Sequence, residues 1–290
     1  MLGMTDHPLL GTYEVPALEP FLARIGELFA AGPAHDSGCR TYGVRLPDGA
    51  RWAVKEALTD AAQRSLDRGW AFHQAVQHPV IVPQVHRLRV GERSAVVLPW
   101  RDGESLYHRA PAAGPGQRPG GALARFRALP VTRVLAALEL ILEAHLAVER
   151  AGHVAVDFYD GAVLYDFATH APHLIDLDEY RRGPFVVQED RLPGSRRFMA
   201  PEEWVRGAII DARTTVFTLG RTARLLLDAG DEERAWRGTP RQRAVITRAT
   251  CADPPHRHAS VRQFVGEWRQ ACDGPVIDPH APLGRGELMH

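Results

Sequence analysis

Asparagine is absent from this chain of 290 residues, and lysine occurs once, at position 55. With 35 Lys and Arg in all, 35 − 1 leaves 34 arginines. Both depleted types have A-rich codons, which points to a GC-rich genome whose drift replaced lysine wherever a generic cation sufficed. Cysteine is scarce: Cys39, Cys251 and Cys272, odd in number and far apart, fit neither a disulfide framework nor a zinc site. No run approaches the ~20 apolar residues of a membrane span. The first twenty residues contain Asp6, Glu14 and Glu19 and lack the basic flank and apolar run of a secretory signal. Charge of either sign is not in excess, with 35 acidic residues against 35 basic, so the basic surplus of a dedicated nucleic-acid binder is missing. Fourteen histidines include no pair at zinc-helix spacing beside a Glu ligand and read as solvated or core residues. What remains is a globular protein, 45% hydrophobic, with the cytoplasm as its compartment and neither nucleic acid nor membrane as a partner.

Lys55 resisted the drift that removed every other lysine. Arginine is planar and forked, whereas lysine is a compact ammonium on a thin stem, so a site that sets a point charge on a phosphate does not exchange them freely. Around it, Tyr42-Gly-Val-Arg-Leu-Pro-Asp-Gly-Ala-Arg-Trp-Ala-Val-Lys55 alternates apolar and polar residues on either side of Asp48-Gly49, which predicts a hairpin whose second strand ends at the lysine.

Residues 17–30 fit a helix or a first strand equally. Over 59–77 the positions Ala62, Leu66, Trp70, His73 and Val76 fall three or four apart and predict an amphipathic helix that stops before His78-Pro79. Strands are predicted at 80–83, 85–90 and 94–98, broken by Pro99-Trp100-Arg101-Asp102-Gly103. Residues 109–121 are small and turn-forming. Long helices are expected at 131–151 and 215–228, and further ones at 241–250 and 260–271, with Trp204, Trp236 and Trp268 as core anchors. Strands with one helix, followed mostly by helices, make an α+β architecture: a β-rich part over 1–100, a helical part over 101–275 and a tail over 276–290.

Carboxylates concentrate in Gly152-His-Val-Ala-Val-Asp157-Phe-Tyr-Asp160-Gly-Ala-Val-Leu-Tyr-Asp166 and Leu174-Ile-Asp176-Leu-Asp178. Two acids about twenty positions apart suit metal-assisted chemistry on phosphate, one for a hydroxyl and one for Mg2+. The alternative is that each caps a turn.

Taken in order, these segments resemble the protein kinase superfamily, in its bacterial Ser/Thr form. Trp52-Ala-Val-Lys55 is similar to the lysine strand, Val156-Asp157-Phe158 to the catalytic loop at its Asp, and Ile175-Asp176-Leu177-Asp178 to the metal-binding motif, with Asp178 where glycine is usual. Pro193-Gly-Ser-Arg-Arg-Phe-Met-Ala-Pro-Glu202 looks like the end of an activation segment. Thr215-Val-Phe-Thr-Leu-Gly220 resembles the next buried helix, and Asp253-Pro-Pro-His-Arg257 the segment whose arginine pairs with that glutamate. The resemblance implies a bilobal fold and an ATP- and Mg2+-dependent transfer to Ser or Thr of a protein substrate or signalling partner. It implies that Lys55 orients the phosphates, that Asp157 accepts the hydroxyl proton and that Asp176 holds Mg2+. Gly38 stands at the distance of a phosphate-loop glycine, and Leu98 to Trp100 form a hinge against adenine.

Four positions depart from the pattern. The glycine-rich loop, Gly32-Pro-Ala-His-Asp-Ser-Gly38, lacks its trio. Gly69 stands where the lysine's glutamate partner is expected, and Asp67 is the nearest substitute. Ala155 and Val156 replace the loop's His and Arg, and Tyr159 its lysine, which removes phosphorylation control. Ala162 replaces the second metal ligand, leaving Asp160 as the candidate for that role or as a turn residue. A nucleotide-binding pseudokinase scaffold and a small-molecule phosphotransferase are the competing functions.

Overall fold

The computed structural model describes residues 7–32, 37–107, 121–230 and 234–272. These form a mixed structure of one six-stranded sheet, one three-stranded sheet, two strand pairs and seven α-helices. The sheet comprises β1 (Glu14–Val15), β2 (Glu27–Ala31), β3 (Cys39–Arg45), β4 (Arg51–Ala57), β5 (His86–Val90) and β6 (Arg93–Pro99), in spatial order β1-β5-β6-β4-β3-β2. Residues 17–30 supply one of each candidate element, a helix α1 (Leu18–Ile25) and the strand β2. The predicted β3–β4 hairpin turns at Asp48-Gly49, where Gly49 has φ +87° and the Asp48 side chain accepts from Ala50 N–H at 2.9 Å. A positive φ is the conformation glycine tolerates best.

Strand alternation sends successive side chains to opposite faces. Trp52 and Val54 of β4 pack with Tyr42, Val44, Leu18 and Leu22 beneath α1. Ala57 packs with Cys39, Val96, Ala62 and Leu66 against the helix α2 (Asp60–Ala75), so Lys55 shares the α2 face. The α2 start is fixed by Thr59, whose hydroxyl accepts from Ala62 N–H at 3.1 Å.

After the sheet come β7 (Glu104–Ser105), α3 (Ala122–Arg127), α4 (Val131–Arg150), β8 (His153–Val154), β9 (Val163–Asp166), β10 (Ala171–Leu174), β11 (Arg181–Arg182), β12 (Phe185–Val186) and β13 (Ile209–Ile210). Three helices follow: α5 (Ala212–Leu226), α6 (Pro240–Ala249) and α7 (Val261–Cys272). The apolar face of α4, including Leu138, Ile141, Leu142 and Val148, forms the main core with Leu219 and Leu226 of α5 and Phe264 and Trp268 of α7. Phe72 and Val76 belong to this same core, so α2 packs on the sheet at one end and on the helices at the other.

Residues 80–83 form no strand. They contribute a single parallel bridge, Ile81 to Leu174, closed by Leu174 N–H to Val80 O at 2.8 Å and Val82 N–H to Leu174 O at 2.9 Å. Their apolar run is there for burial rather than pairing. Of the three expected tryptophan anchors only Trp268 is fully buried; Trp204 and Trp236 are half-buried beneath arginine guanidinium groups. The turn-forming stretch at 109–121, except Gly121, and the tail after Cys272 lie outside the described residues. Among the described residues no helix is long and apolar enough to cross a membrane.

Candidate active site

Lys55 leaves β4 towards α2 and meets two carboxylates of the segment after β10. Its ammonium donates to Asp176 and to Asp178, the latter at 2.5 Å. Burial alone would discharge the amine, but the two carboxylates outweigh it and hold its pKa well above the usual lysine range. The partners differ in setting. The Asp176 side chain is 41% exposed, whereas that of Asp178 is 5% exposed and also accepts from Gln84 Nε2 at 2.7 Å. Burial pushes the Asp178 carboxyl up, against the pull of Lys55.

Asp67, the expected substitute for the missing glutamate, does not reach the lysine. It pairs with Arg87 and accepts from Gln63 on the outer side of α2. Two residues rotate by about 200° around the helix axis, so position 67 faces Arg87 and position 69 faces Asp178. There Gly69 leaves open the volume that Asp178 fills, because a Cβ on residue 69 would lie 2.1 Å from Asp178 Oδ1.

Asp157 follows β8 in a loop held from below by α5, where Thr215 Oγ1 accepts from Ala155 N–H at 3.0 Å. Its carboxylate accepts from the backbone N–H of Ser195 and lies within the field of Asp176 and Lys55. Burial first, then repulsion from Asp176 and Glu179, lifts its pKa to about 7. Asp157 and Asp176 have φ of 59° and 60°, and His170 is the one other described non-glycine residue with a positive φ. Non-glycine residues in this region are strained and concentrate where a side chain must be aimed.

A base raised in this way sets the sign of a pH dependence. A carboxylate with a pKa near 7 is protonated and unable to accept a proton below that value, so any transfer that uses Asp157 should rise with pH through about 7. Because Asp176 contributes to the elevation, a cation on Asp176 should move this acidic limb to lower pH. A pH–rate profile at two Mg2+ concentrations checks both; a rate flat between pH 5.5 and 8 would remove Asp157 as the base.

Tyr159 stands two residues on, its ring against Gly161, where a Cβ would come within 2.2 Å of it. Burial and the nearby Asp176 and Asp157 keep its phenol protonated, so it offers the site a neutral donor in place of an ammonium. Asp160 is buried, with Arg197 Nη1 3.8 Å from its carboxylate, and Ala162 is fully buried. Among the described residues, no group of three or more His, Cys, Asp and Glu gathers in a metal-holding arrangement.

Leu98 pairs with Ala53 across β6 and β4 and packs towards α2. Trp100 spends its backbone N–H on Arg51 O at 3.0 Å and its indole N–H on Asp102 at 3.3 Å. It therefore offers a ring, set edge-on to Phe29 at 4.7 Å, and no spare donor for a base edge. Of the phosphate-loop stretch, residues 33–36 lie outside the described residues. Gly38, with φ +72°, is fastened to the β4–α2 junction: its carbonyl accepts from Leu58 N–H at 2.9 Å, and a Cβ would lie 2.4 Å from Thr59 Oγ1.

Sequence reasoning singles out Asp176, takes Asp178 only as a departure from the motif and does not reach Glu179 or Tyr180. Besides Asp178 on Lys55, Glu179 accepts from Ser65 at 2.8 Å and Arg68 at 2.5 Å of α2. Tyr180 donates its hydroxyl to His145 Nε2 of α4 at 2.8 Å. The His145 Nδ1–H is committed to Ile141 O, and burial lowers that ring to about pKa 4, so it stays neutral. Three consecutive side chains thus tie the segment after β10 to β4, α2 and α4. The signal for Asp178 was in the sequence as a paired exchange, glycine for an acid at 69 and an acid for glycine at 178.

Glu202 and Arg257 meet as expected, in a bidentate pair of 2.7 and 2.9 Å beneath the segment 193–204. An open hollow of about 520 Å3 lies behind α2, away from these groups, lined by Gln63, Trp70, Arg87, Arg89 and Arg93 among others. Each of its arginines faces an acid, Asp67, Glu14 and Asp60 in turn, so it presents no unbalanced cation to a ligand. The chain matches no known protein-family model, and no curated protein is significantly similar to it.

Proposed function

We propose that this chain is a protein kinase-like phosphotransferase that moves the γ-phosphate of ATP to a serine or threonine hydroxyl of a protein, between a small lobe (residues 1–100) and a larger helical lobe (101–275). The observation that carries this reading is the convergence of three charged side chains: Asp157 and Asp176, both at positive φ, interact electrostatically with each other, and Asp176 accepts from the ammonium of Lys55. In this reading Lys55 holds phosphate oxygens, and Asp157 takes the hydroxyl proton as that oxygen bonds to the γ-phosphorus and the bond to the β–γ bridging oxygen breaks. The exposed Asp176 carboxylate fits Mg2+, which binds through one or two carboxylates plus substrate phosphates. Bound there, the ion would neutralise phosphate charge. Asp160 would join it only after parting from Arg197. Leu98 and the Trp100 ring would flank adenine. Three free cysteines agree with a cytoplasmic setting.

One observation favours a second reading. Ala162, at the place of the second metal ligand, has no donor and is fully buried, as a nucleotide-binding pseudokinase would tolerate. Incubation with γ-labelled ATP, Mg2+ or Mn2+ and a generic protein substrate separates the two. Transfer is expected in the native chain and at least 100-fold less in Asp176→Ala. A nucleotide-induced rise in melting temperature without transfer would establish the pseudokinase, and neither signal would sink both.

A further inference from the structure

We infer that Asp178 is the positioning residue of the nucleotide lysine, doing from the metal-motif segment what an acid on the adjoining helix would otherwise do. This rests on the reading just given. Three observations carry it. Lys55 Nζ lies 2.5 Å from Asp178 Oδ2, inside a pocket where the carboxylate is 5% exposed. Gln84 donates to the other carboxylate oxygen at 2.7 Å, so the group is held from both sides. Gly69 lies in the interior of α2, where glycine is less favourable than alanine, and a Cβ there would fall 2.1 Å from Asp178 Oδ1. A side chain entering from residue 69 and the carboxylate of Asp178 thus compete for one volume, and this chain has filled it from the large-lobe side.

The consequence is a different logic of assembly. Where the acid sits on the helix, moving the helix makes or breaks the ion pair. Here Asp176 and Asp178 travel together, two residues apart, so the segment that presents the metal carboxylate also sets the lysine. Glu179 adds bonds to Ser65 and Arg68 that tie α2 to the same segment. The acid that sets the lysine therefore comes from this segment, and α2 is fastened to the same segment rather than supplying the acid.

The test is a relocation of the carboxylate, read by affinity for a non-hydrolysable ATP analogue with Mg2+ and with EDTA, alongside melting temperature. Asp178→Gly should weaken analogue binding about tenfold or more by a similar factor in both conditions, because the loss acts through Lys55. Gly69→Glu alone should lower the melting temperature through the clash. The double variant Gly69→Glu/Asp178→Gly should recover the melting temperature and bring affinity to within about threefold of the native chain. Asp178→Asn, nearly the same shape, should lose affinity while staying folded. The inference is overturned if Asp178→Gly or Asp178→Asn binds as the native chain does, if the loss occurs only with Mg2+, which would make Asp178 an ion ligand, or if the double variant is no better than Asp178→Gly. Should the native chain bind no nucleotide, the kinase-like reading falls by itself. Recovery of melting temperature in the double variant would still decide whether residues 69 and 178 are interchangeable positions for the carboxylate that accepts from Lys55.

Discussion

Glu202→Ala should destabilise the protein by about 3–5 kcal/mol, the cost of stranding a buried charge, and lower its melting temperature by roughly 6–20 °C. Arg257 has a side chain with no exposure, and Glu202 is the carboxylate paired with it. Its remaining acceptors, the carbonyls of Cys251 at 2.7 Å, Ala252 at 2.9 Å and Arg213 at 3.1 Å, are dipoles rather than charges. Glu202→Gln, which keeps an acceptor oxygen for Arg257 and for Thr214 Oγ1 at 2.8 Å, should fall between. Arg257→Met would not be the milder change, because it orphans those three carbonyls. Differential scanning calorimetry of the three variants orders them, and an unchanged melting temperature for Glu202→Ala would mean that the pair contributes nothing.

Lys55→Met should have two separable effects. If the amine holds phosphate, removing a charge-assisted bond worth ~1.5–3 kcal/mol weakens nucleotide binding roughly 10- to 100-fold. It also leaves Asp178 buried without its cation. Burial already raises that carboxyl, so in the variant its folded pKa rises further above the unfolded value. The folded state then holds the proton more tightly, and stability is lost as pH climbs from the unfolded pKa towards the folded one. The variant should therefore lie close to the native chain near pH 4 and fall progressively behind it towards pH 8. Lys55→Arg keeps the charge but must fit a wider fork between two carboxylates, so binding should weaken while the pH dependence of stability stays nearly native. Denaturant melts at pH 4.5, 6 and 8 provide the check, and a stability difference that does not change with pH would contradict the account.

What the sequence made legible follows from how local each signal is. The hairpin at Asp48-Gly49, the Thr59-capped α2 and the long α4 are written in turn chemistry, a cap and a 3.6-residue period, all within a few residues. Lys55, Asp157 and Asp176 were visible because composition or motif order isolates them. Residues 80–83 misled because a short apolar run serves burial as well as pairing. The sequence points to Asp67 of α2 as the lysine's partner because a helix position can be counted along the chain, whereas the contact of Lys55 with Asp178 spans more than a hundred residues. Asp160 illustrates the same limit: its neighbour Arg197 is close only in the folded chain.

The solitary lysine has a practical consequence. A protease that cuts only after lysine has a single target bond in the whole chain, Lys55-Glu56, and that bond lies in β4 between the paired strands β3 and β6. Cleavage requires an extended, unpaired stretch in the enzyme's cleft, so the sheet must open before the bond can be cut. When opening and closing are fast relative to cleavage, the digestion rate measures the population of the opened sheet. Two fragments, of 55 and 235 residues, then report the unfolding of this one region without any engineered probe.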